Sequence, residues 1–169
     1  MKMTSSILTL VCASILAVAV VSSASATGVT QSATGSGQFE FTSDTGVTAL
    51  RTFAFAAVTS GDGTVTGQAQ IYNRAVPGRI HIEIDCLNVI GNIAVLSGTY
   101  VYSTDPAASP GDRAIFAVED NGEGAGGASD RVTRAFANKG LTCTDITSDN
   151  VDLYAYLFND VRAGEIQIH

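Results

Sequence analysis

The chain has 169 residues, and its sixteen acidic residues outnumber nine basic ones for a net charge of −7. Such an acidic field repels phosphate backbones and anionic lipid surfaces, so neither nucleic acid nor a membrane surface is expected as a partner. The length suits one domain able to bury its own core without metal or repeats.

The first segment, "MKMTSSILTLVCASILAVAVVSSASA", opens with Lys2, runs apolar from Ile7 to Val21 and closes on Ala24-Ser25-Ala26. That is the pattern of a secretory signal peptide, residues 1–26. The apolar run is shorter than the roughly 20 residues a membrane span needs, so cleavage after Ala26 is expected rather than a retained anchor. Cys12 follows Val11, not a small residue, and lies inside the apolar run, which argues against lipoprotein acylation. Cleavage leaves 143 residues in which eight basic residues face sixteen acidic ones, a net charge of −8. The expected location is secreted, outside the cell and free of the membrane.

Residues 27–36, within "TGVTQSATGSG", are polar and glycine-rich without periodicity and read as a flexible lead-in. A single all-β domain is expected over 37–169. From Gly37 the chain alternates in short runs, "QFEFTS", "ALRTFAFAAV", "GTVTGQAQIYNR", "GRIHIEIDCLNV", "NIAVLSGTYVYS" and "DRAIFAVED", each bounded by Gly, Asp, Asn or Pro. Period-two alternation between turn residues predicts strands. In "RIHIEIDC", Ile80, Ile82, Ile84 and Cys86 point one way, and Arg79, His81, Glu83 and Asp85 the other. Asp62-Gly63 and Gly91-Asn92 are hairpin turn signals. Links this short join antiparallel neighbours.

Beyond the acidic stretch, "DRVTRAFANKG" reads as a helical turn or irregular structure, "NVDLYAYLF" as a strand and "AGEIQIH" as a closing strand. About eight antiparallel strands result. A meander closed into a barrel is favoured over a two-sheet sandwich. Once Cys12 has left with the leader, Cys86 and Cys143 form an even pair in an oxidising compartment, which predicts a disulfide over two separate thiols. Closing that loop would stabilise the fold by roughly 4 kcal/mol through chain entropy.

"GSGQFEF", "CLNVIGNIAVLSG", "FAVEDNGEGAGGASDR" and the final "GEIQIH" together resemble a family of small exported bacterial proteins and surface-protein domains of the post-COAP-1 type. The resemblance spans most of residues 35–169 and implies a secreted all-β domain without an assigned reaction. Members often carry two prolines before the Asp-Arg, where this chain has Ala128-Ser129.

Chemistry is sparse. Nucleophilic hydrolysis needs a Ser or Cys beside an oriented His, and His81 and C-terminal His169 are the two histidines of the chain. A usual zinc site needs more His or Cys ligands than remain, and no Rossmann, P-loop or G-x-S-x-G pattern occurs. A non-catalytic binding or structural module for an unknown small molecule, glycan or protein is therefore expected over an enzyme. The rival is a barrel-lumen small-ligand binder or a lipocalin- or cyclase-like barrel enzyme. In it, Tyr72, Arg79, His81 and Glu83, with Asp85, Gln68 and Gln70, would line a pocket; their bland reading is a solvated outer face with weak cross-strand pairs. Phe53, Phe55, Tyr100, Tyr102, Tyr154 and Tyr156 recur at spacing two. They read as a sugar-stacking platform or, more simply, as packing.

"VEDNGEGAGGASDRVT" raises the question of a cation. An EF-hand starting at Asp120 fails, because its sixth and twelfth positions are Ala125 and Arg131. The calcium repeat G-G-x-G-x-D also fails, with Asp130 one residue early. An oxygen cage of Asp120, Glu123 and Asp130 makes calcium the one cofactor this loop allows. The alternative is a structural loop whose Asp and Gly residues fix its path.

Overall fold

The structure is a computed structural model that describes residues 28–42, 46–74, 78–122, 128–138 and 140–169. The leader therefore lies outside the described residues. Nine strands follow in order: β1 (Val29–Thr42), β2 (Thr48–Ser60), β3 (Val65–Asn73), β4 (Gly78–Ile90), β5 (Ile93–Ser103), β6 (Arg113–Glu119), β7 (Arg131–Thr133), β8 (Phe136–Ala137) and β9 (Phe158–Ile168). All pair antiparallel in one sheet, and pairing of β5 with β6 closes it into a ring. The fold is all-β, as the alternation predicts.

The strand count and the eight-stave expectation reconcile at β7 and β8. Both pair with the same edge of β6, β7 at Val118 and Glu119 and β8 at Ala114 and Ile115. They are two halves of one interrupted stave. At the interruption the Thr133 hydroxyl accepts the Ala117 N–H at 2.9 Å, standing in for a missing carbonyl. "DRVTRAFANKG" is thus broken strand rather than a helical turn, because β6 offers an edge for its backbone to pair with.

Alternation places the core inside the ring. Phe39, Phe53, Phe55, Ile82, Leu96 and Ile166 are buried there, and Phe55 meets Phe116 edge-on at 5.9 Å between ring centres. Gly91-Asn92 links Ile90 to Ile93 across a two-residue turn with positive φ at Gly91 alone, the pattern of a type II′ turn.

Three local readings need correction. Residues from Val29 onward, expected as a flexible lead-in, form the first half of β1, paired with β2 on one side and β9 on the other. Its glycines provide space rather than looseness: a Cβ at Gly37 would stand 2.5 Å from the Ala163 carbonyl, and one at Gly35 would stand 2.8 Å from the Phe55 ring. "NVDLYAYLF" is a 3₁₀ helix over Val151–Leu157 rather than a strand. The i, i+3 repeat turns Val151 and Tyr154 toward the sheet and leaves Tyr156 81% exposed. Finally, the register of β4 on β5 shifts between Ile84 and Cys86. This bulge at Asp85 reverses the alternation, so Leu87 joins the interior and Cys86 the outer face.

That reversal builds the second layer. Residues 140–157, which include a short 3₁₀ turn at Cys143–Asp145, form a strap over the outer face of β4, β5 and β6. Cys86 and Cys143 are joined as a disulfide with Cα atoms 5.8 Å apart. Asn88, brought outward by the same bulge, donates from Nδ2 to the carbonyls of Ile146 (2.7 Å) and Cys143 (3.3 Å). The buried Ser97 hydroxyl accepts the Cys143 N–H at 3.1 Å and a hydrogen bond from Arg113, which also clamps Asp85.

Candidate functional site

Beneath the strap lies a half-open cavity of about 250 Å³. Its sheet wall is Val95 of β5, Ile115 and Ala117 of β6, and Phe136 of β8. Its outer wall is Leu141, Ile146, Val151 and Tyr154 of the strap, and Leu157 and Phe158 continue it. β5 and β6 can face it because they read as near-continuous apolar runs, "IAVLSG" and "AIFAV", rather than as strict alternation. A strand covered on both faces reads this way. Thr133, Asn138 and the Tyr154 hydroxyl bring the polar atoms of the side chains around it. The lining offers dispersion contact and removal of apolar surface from water, which is binding chemistry.

Period-two alternation alone does not predict this cavity. Its signal was present in the unbroken apolar runs of β5 and β6 and in the i, i+3 spacing of Val151 and Tyr154.

Arg79, His81, Glu83 and Asp85 share the outer face of β4 next to the strap-covered region. Gln68, Gln70 and Tyr72 lie opposite them on β3, paired as Gln68 with Glu83, Gln70 with His81 and Tyr72 with Arg79. The row is therefore brought together, but it faces away from the ring interior, which Ile80, Ile82 and Ile84 fill. Tyr72, Arg79 and Glu83 are exposed and His81 is half-buried in an open dent with Gln68 and Ala56. Arg79 stacks over Tyr72 at 5.6 Å. The aromatic series divides: Phe53, Phe55 and Tyr100 are interior, Tyr154 belongs to the cavity wall, and Tyr102 and Tyr156 are exposed. They do not form one platform.

The acidic loop is wired into the last strand. Both oxygens of Asp130 accept backbone N–H groups, from Asn121 and Ile166 at 2.9 and 2.8 Å. Asp120 accepts from Gly122 at 2.8 Å and Ile168 at 3.1 Å. β7 pairs with β9 only as far as Asp160, so the two carboxylates take over the N–H groups of β9 where the ladder stops. Glu123 lies outside the described residues. Among the described residues no group of three or more His, Cys, Asp or Glu side chains is placed to hold a metal.

Among the described residues no helix is long and apolar enough to cross a membrane. The chain matches no family model, no curated protein and no solved structure.

Proposed function

We propose that this chain is an exported, non-catalytic binding module that holds a small apolar molecule between its sheet and its strap. The observation that carries the reading is the cavity itself, about 250 Å³ with walls that are almost wholly hydrocarbon. Ligand sites are typically clefts of this character with a few polar groups at the margin, and apolar cavities of even ~150 Å³ take up benzene-sized molecules. The leader-like first segment, the acidic charge and the disulfide support export, and the resemblance to post-COAP-1-type domains supports a secreted or surface setting. Calcium has no part in this reading, because Asp120 and Asp130 already serve backbone N–H groups.

Titration of the mature, disulfide-bonded protein with 1-aminoanthracene, an uncharged apolar dye, tests the reading. Saturable fluorescence enhancement at one site is expected, abolished by Ala117→Phe, which fills the cavity from the sheet side. Equal enhancement in wild type and in a folded Ala117→Phe variant would contradict the site.

A further inference from the structure

Thr133, Asn138 and Tyr154 stand at the margin of the cavity beneath the strap, and they differ in the hydrogen-bonding capacity they have left. The Thr133 hydroxyl is spent: it accepts the Ala117 N–H at 2.9 Å and donates to the Arg134 carbonyl at 3.0 Å. The Tyr154 hydroxyl makes no hydrogen bond among the described residues. Because it rotates and both donates and accepts, it sets no preference between one polar group and another.

Asn138 does set one. It stands where β8 gives way to the strap, and its backbone N–H donates to the Arg113 carbonyl at 2.8 Å, which fixes it against β6. Its Oδ1 accepts the N–H of Gly140 at 2.9 Å and of Leu141 at 3.4 Å. Two N–H donors on one atom mark it as the oxygen of the amide, so the opposite atom is the nitrogen. That Nδ2 has no acceptor among the described residues. Asn138 therefore brings to the margin a donor that cannot accept, on a side chain held in place by backbone hydrogen bonds.

A fixed donor beside a hydrocarbon chamber specifies the polar end of what enters. A hydrocarbon or an ammonium leaves it unpaired, whereas an oxygen acceptor satisfies it. A carbonyl oxygen offers lone pairs and brings no proton in need of an acceptor of its own, as an alcohol would. A carboxylate also accepts, but the strap carries Asp145, Asp149 and Asp152, and no basic residue occurs from 140 to 161. That field favours a neutral molecule over an anion.

Granted that the cavity is the binding site, we propose that its ligand is a neutral apolar carbonyl compound, a ketone, aldehyde or ester, whose oxygen accepts a hydrogen bond from Asn138 Nδ2. Its hydrocarbon body lies against Val95, Ile115 and Phe136, which form the sheet wall.

Calorimetric titration of the disulfide-bonded protein with acetophenone and with α-methylstyrene, in which a methylene group replaces the oxygen, tests the assignment, with benzoate as the anionic counterpart. In a chamber of hydrocarbon alone the ketone would bind more weakly than the alkene, because its oxygen would leave water without a replacement. Acetophenone is instead expected to bind roughly threefold or more tightly than α-methylstyrene, the worth of one net hydrogen bond, and benzoate not to bind. Asn138→Asp keeps an oxygen for the Gly140 and Leu141 N–H groups and removes the donor. It is expected to keep its melting temperature within a few degrees, to bind α-methylstyrene as before and to bind acetophenone more weakly than the alkene. Tyr154→Phe is expected to keep the ketone preference. If Asn138→Asp does not fold, the wild-type preference and its survival in Tyr154→Phe decide. Wild-type protein that binds the alkene as tightly as the ketone, a ketone preference kept in Asn138→Asp or lost in Tyr154→Phe, or benzoate bound more tightly than acetophenone would each overturn the carbonyl assignment and leave the apolar cavity standing. Binding of none of the three would overturn both.

Discussion

The two apolar compartments are closed by different means. Inside the ring, residues from opposing staves interdigitate, and rings such as Phe53, Phe55 and Phe116 fill the space between them. Outside, one wall is a sheet face and the other a strap of 3₁₀ turns held by a disulfide and a few hydrogen bonds, and about 250 Å³ stays unfilled. Strands closing on themselves fix the distance between facing side chains, so volume is matched. A strap fastened near one end leaves its distance from the sheet to the fasteners, so volume is left over. The fold is kept by the first compartment, and the binding reading resides in the second.

Truncation should separate them. Phe116→Ala, which opens a hole in the ring, is expected to destabilise by about 3–5 kcal/mol, measured as a lower denaturant midpoint. Ile146→Ala in the strap should cost less, ~2 kcal/mol, because that wall already borders free volume, and it should enlarge the dye site. Equal costs would break the distinction.

Next in size is the fastener. Converting Cys86 and Cys143 together to serine should cost about 2–4 kcal/mol and raise hydrogen exchange in 140–157 well before that in the staves. Uniform exchange would mean that strap and ring open as one unit.

Asp130→Ala leaves the Ile166 N–H without its acceptor and should cost about 1–3 kcal/mol, with added exchange confined to β9 and the 118–122 segment. If millimolar calcium stabilises the wild-type protein and this variant equally, the backbone role of Asp130 stands alone.

The smallest effect is one of pH. The Asp145 carboxylate accepts the Thr142 N–H and is held below its ordinary range by that bond and by the Thr142 hydroxyl. A depressed pKa contributes stability above the unfolded value of about 3.9, and the contribution disappears as pH falls through the folded value. Strap exchange should therefore quicken below about pH 4, and Asp145→Asn should remove that step. A strap indifferent to pH from 6 to 3 would contradict the cap.

Much of the ring was legible because its rules are local. Ile80, Ile82 and Ile84 alternate with charged residues, Gly91-Asn92 makes its turn, and Cys86 and Cys143 are the two cysteines from residue 27 onward. What misled was long-range. Only the close approach of Ala163 and the Phe55 ring explains why a polar, glycine-rich run is strand, and only the Asp85 bulge explains why Cys86 leaves the row of Ile84. The strap had to be placed on β5 and β6 before their unbroken apolar runs could be seen as one wall of a cavity. The acceptor capacity of Asp120 and Asp130 is visible in sequence, while the N–H groups of β9 that take up part of it are visible only in the fold.

Pressurising a crystal of the protein with xenon tests the contrast between the compartments most directly. An atom bound under the strap, against Val95, Ile115 and Ala117, with the phenylalanine-lined interior empty, is the predicted result. Xenon inside the ring, or none in either place, would contradict the claim that the strap encloses the binding volume.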